Sequence, residues 1–212
     1  MHRDGNNQRL EIEPSDAQIS RPAINWNKIR ALYRELLVLL GEDPDREGLR
    51  ETPARVSRWW REFITYDPGK TNTTFEAIQT NQMVVVAGIK TWSLCEHHLL
   101  PFWCDVSIGY IAEEKVLGLS KFARVVHQFA HQLQLQERLT HQIADEIERL
   151  TQSPNVAVLA AGQHLCMTMR GIKTPGLMQT SVMRGVFFDI PQARAEFLAM
   201  SGLQGKRDAL YG

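Results

Sequence analysis

Cys95 and His98 stand three apart in the run Ser93-Leu-Cys-Glu-His-His98, where a strand comes to its end. A thiolate and an imidazole at that spacing can close on one ion in the way Zn2+ prefers. Two ligands do not make a site, and such a pair is as readily incidental. A second segment supplies what the first lacks. From Gln163 to Arg170 the odd positions Leu165, Met167 and Met169 are apolar, while His164, Cys166, Thr168 and Arg170 are polar, so a strand there has one packing face and one reactive face. Cys95, His98 and Cys166 together offer three ligands and leave a fourth position open for water, the arrangement of a catalytic rather than a structural zinc. Cys104, among Trp103, Val106 and Ile108, reads as a buried, inert thiol rather than a fourth ligand.

A third cluster lies in Gly118-Leu-Ser-Lys-Phe-Ala-Arg124, where Ser120 caps a helix and Lys121 and Arg124 lie three apart at its start. Free N–H groups and the helix dipole favour an anion there, so the segment reads as a phosphate cradle that Arg170 and Arg55 could share. Taken alone, it reads as a solvated basic turn, and the arginines elsewhere in the chain are what make an anion site credible.

The elements that must position these residues follow from periodicity. Ile29, Leu32, Tyr33, Leu36 and Leu40 predict a first helix over 26–40, stopped by Gly41. Thr52 as cap and Pro53 after it start a second helix carrying Val56, Trp59, Trp60 and Phe63. Residues 81–92 and 102–111 read as strands. A third helix turns Phe122, Val125, Val126, Phe129 and Leu133 inward, and a fourth turns in Leu139, Ile143, Ile147 and Leu150. Two more strands are expected, over 155–170 and 179–189. The order gives an α+β fold, a four-stranded antiparallel sheet with helices on one face plus N-terminal helices.

Composition narrows the partners. The 212 residues suit one domain with a helical appendage, and 43% hydrophobic residues can bury a core. Lys+Arg 24 against Asp+Glu 24 gives net charge +0, so neither nucleic acid nor an anionic membrane is an expected partner, and any anion site is local. With no apolar leader, no apolar run that spans a bilayer and three cysteines, the expectation is a cytoplasmic protein without a disulfide framework. The expected organisation is a polar tail over 1–24, a helical region over 25–80, a catalytic domain over 81–205 and a short tail over 206–212.

Four blocks, Ser93-Leu-Cys-Glu-His-His98, Gly118-Leu-Ser-Lys121, Leu133-Gln-Leu-Gln-Glu-Arg-Leu-Thr140 and His164-Leu-Cys-Met-Thr-Met-Arg-Gly171, are similar in kind and order to the signature blocks of GTP cyclohydrolase I, and the resemblance extends over about residues 26 to 200. It implies the tunnelling fold, in which sheets of several subunits close into a barrel, assembled as a homodecamer of two pentameric rings. It implies GTP as substrate, Zn2+ on Cys95, His98 and Cys166, and guanine read by Gln136 and Glu137. It further implies the triphosphate on Lys121, Arg124, Arg170 and Arg55, and proton transfer by His97, His164 and Ser120. The chain departs from the family pattern at Cys104, Ala112 and His131-Gln132. Two rivals stay open at this point: a reductase of the same fold that uses a nucleophilic cysteine and NADPH, and a non-catalytic nucleotide-binding protein with a closed structural zinc.

Overall fold

The structure, a computed structural model, describes residues 23–78 and 81–202, so the two expected tails lie outside the described residues except for positions 23 and 24. Helix α1 (Trp26–Leu39) starts at Asn25, whose side chain accepts the Lys28 N–H at 2.9 Å. Helix α2 (Thr52–Ile64) carries Pro53 in its first turn. Thr52 does not cap it: the Thr52 N–H already donates to Leu49 O, and Glu51 holds the cap position without a side-chain bond. The two helices are joined by Ser57 Oγ on Trp26 O and by Trp60 Nε1 donating to the Tyr33 hydroxyl at 2.7 Å.

The remaining elements follow as β1 (Thr74–Glu76), β2 (Gln82–Cys95), β3 (Pro101–Ala112), β4 (Lys115–Leu117), α3 (Leu119–Ala130), β5 (Leu133–Gln134), α4 (Gln136–Thr151), β6 (Val156–His164), α5 (Leu165–Thr168), β7 (Met178–Met183), α6 (Val186–Asp189) and α7 (Pro191–Met200). They make a five-stranded sheet in the order β5-β2-β3-β6-β7, with β1 and β4 paired apart from it. The four long strands are antiparallel, as the sequence suggests, and the two-residue β5 adds a parallel edge beside Leu94 and Cys95.

Helices α3 and α4 cover one face. Their buried Phe122, Val125, Val126, Ile143 and Ile147 pack on Val106, Ile108 and Tyr110 of β3 and on Val156, Val158 and Ala160 of β6. The opposite face is not bare, contrary to the expectation of helices on one side: Phe187 and Phe197 of α6 and α7 pack on Ala157, Leu159 and Ala161. Gly109 permits this, because a Cβ there would stand 2.7 Å from the Phe197 ring. The strand expected over 179–189 stops at Met183, since Gly185 turns the chain at φ +54 and the Val186 N–H donates to Asn155 Oδ1. Leu133, expected inward on the third helix, lies beyond the end of that helix in β5 and is exposed.

Two details matter for the site. The β2–β3 ladder shifts register between Val86 and Ile89, where Gly88 adopts φ +78. Val84 and Val86 turn toward α3 and α4 before the shift, and Ile89, Thr91, Ser93 and Cys95 do so after it. The segment 66–73 lies along α3 in the opposite sense. Tyr66 stacks on His131 with ring centroids 3.9 Å apart, Arg124 donates to Pro68 O, Lys121 Nζ donates to Lys70 O at 2.8 Å, and the Gly118 N–H donates to Thr73 O at 3.1 Å. Among the described residues no helix is long and apolar enough to cross a membrane.

Candidate metal centre and its surroundings

Cys95 closes β2, and the next residues turn tightly: the Leu99 N–H donates to Cys95 O at 2.8 Å, the Cys95 N–H donates to Leu100 O at 2.9 Å, and Leu99 takes φ +56. The turn brings His98 back over Cys95. It is buttressed from β5 and α4, where the Glu96 N–H donates to Gln134 O and Arg138 pairs with the Glu96 carboxylate. Gln134, wholly buried, accepts from Arg138 Nε at 2.7 Å and donates to Phe129 O at 2.9 Å, which ties the end of α3 to the same turn.

Cys166 reaches the turn by a route that differs from the expected one. The strand stops at His164 and Leu165–Thr168 form one helical turn, so the alternation of packing and reactive positions ends two residues before the cysteine. The ladder has run out there: His164 pairs with Phe102, the residue before it is Pro101, and proline has no N–H to extend the pairing. The helical turn swings Cys166 back, and the ligand atoms of Cys95, His98 and Cys166 all lie within 4.8 Å of one another. Metal–ligand bonds of about 2.0–2.3 Å in a tetrahedron need ligand atoms about 3.5 Å apart, so small side-chain rotations would close the set on an ion.

The donor chemistry fits a soft or borderline cation. The Cys166 thiol is pushed up first by burial and then by Cys95 alongside it, with Arg170 pulling the other way, so Cys166 resists ionising without a cation beside its sulfur. His98 Nε2 accepts from Arg170 Nη1 at 2.7 Å, which leaves that nitrogen as a lone pair already facing positive charge. Cys104 stands apart from the set: it is fully buried, and burial pushes its thiol up to about 12, as suits an inert sulfur.

His164 lies at the same end of the sheet. Its ring stacks on Phe102 with centroids 4.4 Å apart and planes 6° apart, and Nε2 is 3.0 Å from Gln136 Oε1. Burial holds its pKa below the ordinary histidine value, partly offset by the negative charge of nearby Glu137. Glu137 is exposed in the first turn of α4, whereas Gln136 beside it is wholly buried. The His97 ring stands 6.3 Å from that of His98 and is exposed.

Within one chain the remaining candidates are elsewhere. The end of α3 near Cys95 is its C-terminal one, where Ser93 Oγ donates to Ala130 O at 2.7 Å. Ser120 and Lys121 sit at the other end, about 15 Å from Ala130 at 1.5 Å per helical residue, and Arg124 one turn nearer, about 9 Å from it. Ser120 is the second helical residue and Gly118 holds the cap position. Arg55 is exposed on α2. The fold thus gathers Cys95, His98, Cys166, His164, Glu137 and Arg170, but not the lysine and arginine of α3. Phe102 beneath His164 is a contact that sequence reasoning missed; its place opposite His164 follows from pairing, which no local pattern reveals.

Comparison with known proteins identifies the family. The family model described as GTP cyclohydrolase I matches residues 29–202. The GTP cyclohydrolase 1 of Aquifex aeolicus is 48% identical over 179 residues, covering 84% of this chain and 97% of that protein. That of Deinococcus radiodurans is 46% identical over 187 residues, covering 85% of each, and that of Sulfurihydrogenibium sp. is 46% identical over 177 residues, covering 82% and 94%. A solved archaeosine synthase, QueF-Like in the apo form, shares 17% identity at a TM-score of 0.40 over 49% of this chain and 95% of its own, a likeness too slight to decide the fold. On the identity and extent of the sequence matches, the chain belongs to the GTP cyclohydrolase I family of hydrolases.

Proposed function

We propose that this hydrolase acts at C8 of the guanine ring of GTP through a zinc ion on Cys95, His98 and Cys166, releases C8 as formate, and rearranges the remainder to 7,8-dihydroneopterin triphosphate. The observation that carries the reading is the convergence of those three ligands beside His164, with Glu137 close enough to act on the histidine's charge. The ion, when bound, lowers the pKa of water toward about 7 and so supplies hydroxide at neutral pH. The protein's own residues do the rest. His164 carries a proton to the purine nitrogen beside C8 as that carbon becomes tetrahedral, and its neutral form near pH 7 follows from its burial. His97 and Ser120 carry protons in the later opening and rearrangement of the ribose. Incubation with GTP should yield formate and, after oxidation, a fluorescent pterin, and a zinc chelator should abolish both; turnover that survives chelation and metal analysis would remove the ion from the reaction.

Glu137 reads the base. Its exposed carboxylate accepts two hydrogen bonds from guanine N1–H and the exocyclic amine, a pair of donors adenine lacks. Glu137→Gln is expected to raise KM for GTP by roughly 10–100-fold, the cost of about 1–3 kcal/mol for a spoiled charged hydrogen bond, with zinc retained. Unchanged kinetic constants would refute the assignment.

The triphosphate is held by Lys121, Arg124, Arg170 and Arg55. Because the N-terminal end of α3 is remote from Cys95 in its own chain, the reading requires a neighbouring copy to bring Ser120, Lys121 and Arg124 to the metal. A homodecamer of the tunnelling fold, in which sheets of adjacent subunits close a barrel and cover each other's edge strands, would provide that neighbour.

A further inference from the structure

Gln136 has a place in the structure that a base-reading residue would not have. Its amide nitrogen lies 3.1 Å from Ala160 O, 3.0 Å from Met178 O and 3.2 Å from Thr180 Oγ1. Backbone carbonyls only accept, so the amide cannot be turned over without setting its oxygen against two others. The oxygen Oε1 is therefore the atom that faces His164 Nε2 at 3.0 Å. An amide oxygen only accepts as well, so the proton between them belongs to Nε2.

The neighbouring hydroxyls agree on the same direction. Thr140 Oγ1 donates to Gln136 O at 2.7 Å, and with its proton spent there it accepts from Thr180 Oγ1, also at 2.7 Å. The Thr180 oxygen is then left to accept from the Gln136 amide. The directions of these bonds are mutually consistent, with the two amide protons of Gln136 shared among three acceptors; Gln136 and Thr140 are wholly buried and Thr180 partly so. Gly162 keeps the space: a Cβ there would lie 2.8 Å from Gln136 Oε1 and 2.7 Å from Cys104 Sγ.

We propose that Gln136 is a positioning residue, not a reader of guanine, and that it fixes His164 as the tautomer protonated on Nε2, leaving Nδ1 as the nitrogen that exchanges a proton with the substrate. The proposal rests on the reading of His164 as the proton carrier. As the attacking water loses a proton to Nδ1, its oxygen bonds to C8, and the same proton passes from Nδ1 to the purine nitrogen that C8 was doubly bonded to. The imidazole ends neutral, and water has added across one C=N bond.

The decisive measurement is the long-range 1H–15N spectrum of the full-length, zinc-loaded protein labelled in histidine, with the His164 signals identified by their loss in His164→Gln. The unmodified protein is expected to show Nε2 protonated and Nδ1 bare; the reverse pattern overturns the proposal without need of any variant. In Gln136→Met, similar in size but unable to hold the ring, both tautomers are expected, kcat falls by about 10–100-fold as is usual when an orienting partner is lost, and KM for GTP stays within about twofold. A variant that instead raises KM, relaxes the preference for guanine over adenine and leaves kcat and the tautomer unchanged would make Gln136 a base reader after all. If His164→Ala turns over GTP at the full rate, the proton-carrier reading itself fails; if it is inactive while the spectrum shows Nδ1 protonated, only the present proposal falls.

Discussion

Cys166→Ser is expected to fold, to bind no stoichiometric zinc, and to turn over GTP about 10³-fold more slowly or worse. The size follows from what a Lewis-acidic ion contributes, several kcal/mol of transition-state stabilisation, at about 1.36 kcal/mol per tenfold in rate. Folding should survive because the substitution changes one atom on a partly exposed helical turn, at the margin of the packed layer between the sheet and α3 and α4. Serine does not replace cysteine as a ligand at neutral pH, since its hydroxyl is not deprotonated there. Metal content by atomic emission, circular dichroism and formate release from one preparation would separate the three statements. One zinc per chain with full turnover in the variant would sink the assignment of Cys166.

His164→Ala should lower turnover by about 10²–10⁴-fold, the usual contribution of a placed proton carrier, and co-assembly with a second inactive variant should partly repair the loss. The second variant is Lys121→Ala, at the end of α3 remote from Cys95 in the same chain. A chain lacking Lys121 still owns an intact metal set and His164, and a chain lacking His164 still owns an intact α3. If each site joins the metal of one copy to the α3 start of another, random mixing in equal amounts leaves about one site in four complete. Dissociating the two proteins, reassembling them together and measuring GTP turnover should recover that fraction, which neither shows when reassembled alone. No recovery, with mixed rings verified by native mass spectrometry, would place Lys121 in its own subunit's site or outside any site.

How far the sequence alone reaches is clear from individual residues. The buried stripe Leu139, Ile143, Ile147 and Leu150 was legible because helical packing writes its period directly into the chain, and all four are wholly buried. The metal set was legible for a different reason: cysteine and histidine at close spacing carry ligand chemistry whatever element holds them. Its geometry was not. Cys166 was expected on a strand face, and it sits on a helical turn because the pairing partner of β6 ends at Pro101, a fact about another strand. The role of Gln136 was hidden in the same way, since its partners Met178 and Thr180 come from β7 and meet it only when the sheet is assembled. Likewise α6 and α7 gave no sign of covering the second face, because the signal is a missing side chain at Gly109 rather than a pattern in the helices.

The register shift in β2 makes the metal set depend on counting rather than on chemistry. Side chains alternate faces along a strand, and the one extra residue between Val86 and Ile89 reverses the parity of everything after it. Keep Gly88 but pair the ladder evenly from Val86 onward, and Lys90 and Trp92 inherit the face toward α3 while Cys95 is delivered to the opposite side of the sheet; delete Gly88, and the bulge goes while Ile89 and Cys95 keep their face. For chains built on this sheet, single-residue insertions and deletions in β2 between the shift and Cys95 are therefore forbidden, while changes in pairs preserve the face, so variation in strand length should come in steps of two even where variation in residue type is free.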